Sequence, residues 1–147
     1  MTDLIAMRDL AREKLLSALP AGPVVTGMTF DGSADLHADG DLIVGGMLVD
    51  FKANQGGKPR ADGTRAASLA RTEIDELLGY ALMDYSNAYG LHSVAIYAVR
   101  FGYLASWTLA ELGFRMSGKP IGLAELRVRF ACVLRDELPA YQARRGW

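Results

Sequence analysis

Asp39, Asp41, Asp50 and Lys52 stand within one short stretch of the chain, with Gly45-Gly46 midway between them. A two-residue hairpin turn is favoured there because both glycines accept positive φ. The register then follows by counting: Val44 faces Met47, Ile43 faces Leu48, Leu42 faces Val49, Asp41 faces Asp50, Gly40 faces Phe51 and Asp39 faces Lys52. Alternation sorts Leu42, Val44, Met47, Val49 and Phe51 onto an apolar, core-facing side and Asp39, Asp41, Asp50 and Lys52 onto the other. Directly opposed residues in an antiparallel pair have Cβ atoms ~4.5–5.5 Å apart, and like charges in that position destabilise the sheet unless a cation joins them. Hard carboxylate oxygens suit Mg²⁺ or Mn²⁺ better than zinc, and Lys52 adds a positive charge on the same side. Metal, water activation and charge stabilisation are together what phosphodiester hydrolysis requires. The spacing alone fits a solvated hairpin face equally well, with Asp39 and Lys52 as a cross-strand ion pair.

A second polar stripe is available to such a site. Glu73, Glu76 and Tyr80 fall on one side of an expected helix over residues 68–89, while Ile74, Leu77, Leu78, Ala81 and Tyr85 form its buried side. The elements that must carry these groups read as follows. An amphipathic helix over 2–19, with Leu4, Met7, Ala11 and Leu15 in register, stops at Pro20 and Gly22. Strands are expected over 23–30, 34–44 and 47–53, then a polar loop over 54–67, the helix over 68–89 closed by Gly90, and strands over 93–99 and 103–107. A last helix runs from Leu123 to about Leu138, before Pro139. The order α-β-β-β-α-β-β-α predicts an α/β (α+β mixed-sheet) single domain over residues 1–147, its sheet beginning as an antiparallel meander.

The 147 residues are 50% hydrophobic and 22% charged, which excludes disorder and predicts an ordinary core. A single cysteine, Cys132, excludes an intrachain disulfide and a cysteine-based zinc site. The apolar runs over 42–49 and 93–99 fall far short of the ~20 residues of a membrane span. Asp3, Arg8, Asp9, Arg12 and Glu13 leave no leader-like pattern near the start, so no membrane association and a cytoplasmic location are expected. The net charge of −1 argues against global attraction to nucleic acid, but it hides a sharp division. Between Leu15 and Phe51 there is no Lys or Arg, and Asp31, Asp35, Asp39, Asp41 and Asp50 give that stretch a formal −5. From Lys52 to Arg71 the balance is +4, with Lys58, Arg60, Arg65 and Arg71 placed to grip phosphates without reading sequence.

Gly40-Asp41-Leu42-Ile43-Val44, the Gly-Gly turn and Leu48-Val49-Asp50-Phe51-Lys52 resemble the core signature of the PD-(D/E)XK nuclease superfamily, with Gly40 where the usual Pro stands. Glu76-Leu77-Leu78-Gly79-Tyr80 is similar to the Gln-x-x-x-Tyr motif of its RecB-like branch, with Glu in place of Gln. The resemblance covers roughly residues 2–107. It implies a restriction-endonuclease-like core and a metal-dependent nuclease, with DNA the expected substrate. It implies Asp41, Asp50 and the Phe51 backbone carbonyl as ligands of Mg²⁺ or Mn²⁺, Lys52 as the group assisting water attack, and Glu76 and Tyr80 as residues shaping the site. An acidic residue of the first helix often joins such sites, but Glu13 lies opposite the apolar stripe and reads as solvated. A homo-oligomer or a larger protein complex is compatible with the size of the chain.

Two other functions stay open on the sequence. One is a catalytically weak or inactive nuclease-fold scaffold in a nucleic-acid-processing or defence complex; the other is a metal-dependent phosphohydrolase acting on nucleotides. His37 continues the polar strand face too far from Asp41 to share a metal, His92 reads as a packed or surface histidine, and Cys132 reads as a core residue beside Phe130, Val133 and Leu134.

Overall fold

The structure, a computed structural model, describes residues 2–54 and 56–145. Five strands form one sheet in the order β1-β2-β3-β4-β5: β1 (Val24–Thr29), β2 (Asp39–Val44), β3 (Met47–Lys52), β4 (Ser93–Ala98) and β5 (Tyr103–Thr108). Only β3 and β4 run parallel, joined by a crossover that contains helix α2 (Arg71–Met83). The result is a small α+β fold on a mixed sheet. The Gly45-Gly46 turn has φ of 52° and 79°, and the pairs Val44↔Met47, Ile43↔Leu48 and Leu42↔Val49 are those obtained by counting. Packing reinforces the choice of glycine, since a Cβ on Gly46 would meet His92 at 2.8 Å and one on Gly45 would meet the Ala21 carbonyl at 2.6 Å.

Both faces of the sheet are covered, which corrects the expectation of one apolar and one polar hairpin face. Helix α1 (Thr2–Lys14) and the turns after it lay Ala11, Leu15 and Leu19 over Val49, Ala95 and Tyr97. On the opposite face Leu77 and Ala81 of α2 cover Ile43, Leu48, Val94 and Ile96. Ile43 and Leu48 share the side of Asp41 and Asp50, so that side is core near the turn and polar only at the far end. Every residue of β4 is buried, as its apolar sequence Ser-Val-Ala-Ile-Tyr-Ala requires of a strand covered on both faces. Phe51, expected in the core, is 38% exposed and packs edge-on against Tyr97. Leu4, expected to begin the buried stripe of α1, is 72% exposed.

Other departures have local causes. The strand expected over 34–44 begins only at Asp39, after a 3-10 turn, Asp31–Ala34, because Ser33 Oγ accepts from the Phe30 N–H and donates to the Ala38 carbonyl. Helix α1 ends at Lys14 and α2 at Met83, both earlier than expected. After α2, Asp84 turns inward to accept from the N–H groups of Ala88 and Tyr89, which pulls the chain out of the helix. Helix α3 (Leu109–Ser117) follows β5 directly; Thr108 Oγ1 caps it by accepting from Glu111 N–H, and Gly118 at φ 74° closes it. The last helix does not stop before Pro139. α4 (Leu123–Cys132) passes through a π turn, Val133–Glu137, into α5 (Leu138–Arg145). The wider turn accommodates Pro139, which has no N–H to continue the ladder and is tolerated in a first helical turn. No helix among the described residues is long and apolar enough to cross a membrane.

Candidate active site

The polar residues gather where the β2–β3 ladder ends. Continued by one more hydrogen-bonded pair, the ladder would join Phe51 N–H to the Gly40 carbonyl. Instead Phe51 N–H donates to Asp41 Oδ2 at 2.9 Å, so the side chain of β2 takes over from its backbone. Gly40 itself is buried against Met28 and Phe30, and a Cβ there would run into both. Asp41 is exposed, whereas Asp50 is 9% exposed.

Lys52 links this hairpin to α2. Its Nζ lies 2.9 Å from Asp50 Oδ2 and donates to Glu76 Oε2 at 2.9 Å. Glu76 Oε1 accepts from the Tyr80 hydroxyl at 2.7 Å. Tyr80 in turn lies stacked at 6.3 Å from Phe30, which fixes its ring against the core. The chain of groups therefore runs Asp50, Lys52, Glu76, Tyr80. Asp50 Oδ2 is close to the ammonium but accepts no well-directed hydrogen bond, leaving a buried carboxylate oxygen with open acceptor capacity.

The electrostatics follow from burial and pairing. Burial raises the Asp50 pKa, and the charges of Asp41 and Glu76 add to the rise against the opposing Lys52. Burial disfavours the Lys52 charge, but the hydrogen bond to Glu76 and the attraction of the Asp50 carboxylate outweigh it and the pKa rises. Lys52 is therefore an ammonium at neutral pH, a donor and not a proton acceptor. The Tyr80 hydroxyl and Lys52 lower Glu76. Burial and the Glu76 carboxylate push Tyr80 up to about 12.

Glu73, the third member of the α2 stripe, stands apart from this cluster. It accepts from Ala70 N–H at 2.7 Å and from Asn54 Nδ2 at 3.1 Å, while Asn54 Oδ1 accepts from Gly56 N–H. It is a strut across the base of the polar loop. The loop folds back on itself through Gly57 N–H to the Ala66 carbonyl and Arg60 N–H to the Thr64 carbonyl. Lys58, Arg60, Arg65 and Arg71 are all exposed; Arg65 donates to the Gly57 carbonyl and Arg71 pairs with Asp75.

Of the five aspartates in the acidic stretch, two hold the fold together. Asp31 accepts from Ser86 N–H, and Asp35 pairs with Arg135 and accepts from Tyr85. The Asp39–Lys52 ion pair allowed by counting does not form, because Lys52 is directed to Asp50 and Glu76. His37 lies exposed in the loop before β2, and His92 approaches the Gly45 carbonyl at 3.0 Å, bracing the turn. Glu13 is exposed and pairs with Lys14. Cys132, expected in the core, is exposed: it lies two residues from buried Leu134, on the other side of the helix. Sequence reasoning missed the buried pair Asp84–Arg127, in which Arg127 also donates to Asn87 and to the Ala81 carbonyl.

Among the described residues no group of three or more His, Cys, Asp or Glu side chains is placed to hold a metal ion. The donors this end of the hairpin offers are the carboxylates of Asp41, which accepts from Phe51 N–H, and of Asp50. They are hard oxygens, and one of them is buried without a directed hydrogen bond. That set fits a divalent cation of the Mg²⁺ type, which keeps several waters and shares substrate oxygens. No family model, no curated protein and no solved structure matches the chain.

Proposed function

We propose that the chain is a metal-dependent nuclease that hydrolyses phosphodiester bonds, with DNA as its substrate, on a restriction-endonuclease-like core of the PD-(D/E)XK type. The observation that carries the reading is the Lys52 ammonium, set 2.9 Å from both Asp50 and Glu76 on the side of the sheet that Asp41 shares. Asp41, Asp50 and the Phe51 carbonyl would hold Mg²⁺ or Mn²⁺. Bound there, the cation supplies neutralisation of the phosphate charge and activation of water. Lys52 donates to the oxygen on which negative charge develops, and it keeps its proton throughout because its pKa is raised. Glu76 and Tyr80 fix the direction of that ammonium. Lys58, Arg60, Arg65 and Arg71 position the backbone through phosphate contacts, which makes binding salt-sensitive.

The test is cleavage of linear and plasmid DNA with Mg²⁺ or Mn²⁺. Lys52→Ala is expected to reduce cleavage at least a hundredfold while the circular-dichroism spectrum is retained. Undiminished cleavage by that variant would remove the assignment. A second reading, a nuclease-fold scaffold without turnover, is favoured by one feature: Lys52 already neutralises Asp50, so the hairpin does not depend on a cation. Calorimetric titration with Mn²⁺ separates the two, since heat of binding that disappears in Asp41→Asn supports the nuclease and absence of binding supports the scaffold.

A further inference from the structure

Lys52 faces two carboxylates at equal distance, but the two arms differ in kind. The Glu76 arm is a directed hydrogen bond to an acceptor braced on its other oxygen by Tyr80. The Asp50 arm is an ion pair at 2.9 Å to an oxygen that accepts no well-directed hydrogen bond. A cation drawn to Asp50 must therefore compete with an ammonium that has a second, better-directed partner on α2.

The charges support the same division. Asp41, Asp50 and Glu76 against Lys52 leave the cluster at a formal −2, which one divalent cation cancels. An amide at position 76 would accept a hydrogen bond from Lys52 but give it no counter-charge. Lys52 would then have Asp50 as its one close anionic partner.

We infer that Glu76 is a positioning residue that holds the Lys52 ammonium when Asp50 turns to a divalent cation, so that Lys52 does not compete for the Asp50 carboxylate. The inference rests on the reading of Asp41 and Asp50 as cation ligands. It assigns the carboxylate at position 76 a task that an amide cannot perform. Glu76 acts through Lys52 and not on the cation.

Calorimetric titration of Mn²⁺ into the wild-type chain, Glu76→Gln, Lys52→Gln and the double variant tests this. Glu76→Gln is expected to weaken Mn²⁺ binding at least tenfold in the wild-type background and less than threefold when Lys52 is already Gln. Glu76→Asp, which keeps the charge, is expected to recover binding to within threefold of wild type, and it replaces Glu76→Gln in the comparison if the latter fails to fold: there its cost, measured with and without Lys52, must shrink when Lys52 is absent. An equal loss from the position-76 change in both Lys52 backgrounds would show Glu76 acting on the cation directly and overturn the inference, as would no loss in either. If the wild-type chain binds no Mn²⁺, or if Asp50→Asn binds as well as wild type, the cation reading fails and the inference falls with it. The first pair of outcomes leaves the nuclease reading standing; the second does not.

Discussion

The chain places buried charge in two regions and treats it in opposite ways. At the end of α2, Asp84 and Arg127 are 1% and 5% exposed. Asp84 accepts from Ala88 and Tyr89 N–H and pairs with Arg127, whose remaining donors reach Asn87 and the Ala81 carbonyl. At the end of β3, Asp50 is nearly as buried, yet one of its oxygens accepts no directed hydrogen bond and its ammonium partner is divided between two carboxylates. A closed network fixes a fold because each group has its partner. An open one keeps acceptor capacity for something that arrives later. The contrast separates a structural ion pair from a candidate site without reference to any relative.

The largest effect that can break this contrast is on Arg127. Arg127→Met leaves Asp84 buried and uncompensated, and urea unfolding should show a loss of about 3–5 kcal/mol. A loss below about 1 kcal/mol would mean the pair is not closed. Asp50→Asn should do the reverse. A carboxylate whose folded pKa is raised is most stabilising to the fold when protonated, so ionised Asp50 costs stability as pH rises above its ordinary range. Removing that charge should raise stability at pH 7 in urea unfolding and flatten its decline with rising pH above the ordinary carboxylate range. A fall would place Asp50 with Asp84 as a purely structural acid.

Tyr80→Phe probes the brace on Glu76. Burial and the Glu76 carboxylate push the Tyr80 hydroxyl from its ordinary 10.0 up to about 12, so the stability it contributes as a neutral phenol is full below pH 10 and is lost as pH rises towards 12. The variant should lose about 0.5–1.5 kcal/mol at pH 7, and its difference from wild type should shrink across pH 10–12 in thermal melts. The smallest effect belongs to the exposed loop. Lys58→Ala or Arg60→Ala should leave stability within about 0.5 kcal/mol. Each should flatten the salt dependence of DNA binding, by about 0.9 in log–log slope for every phosphate the side chain neutralises. An unchanged slope would remove that residue from the interface.

Much of the fold and of the candidate site is legible in the residues because the hairpin is short and its turn leaves little choice. Gly45-Gly46 sets the register, and the register brings Asp41, Asp50 and Lys52 to one end. The α2 stripe is readable as periodicity, and it delivers Glu76 and Tyr80 to Lys52 but turns Glu73 away to Asn54. Helix α3 carries a capping pattern, Thr108 with Glu111 three residues on and Gly118 beyond, which is hidden because β5 runs into it without a break. The Asp84–Arg127 pair leaves no local signal, since its partners are 43 residues apart. Phe51 alternates with Val49 as a core residue should, but it stands at the strand's end, where the cover of α1 gives out. Pro139 misleads because a proline stops a regular helix, not one whose preceding turn has widened.

The strut of Glu73 against Asn54 has a mechanical consequence. Asn54 lies two residues beyond Lys52, and Glu73 lies one turn of α2 before Glu76, so the base of the basic loop is clasped to the same strand and helix that carry the cluster. On the proposed reading, the hand that grips a phosphodiester backbone and the blade that cuts it are mounted on the same strand and helix. The interval between grip and cut is then a fixed measure along the strand. Asn54→Ala would loosen the ruler and blur the spacing of the products while leaving the blade in place.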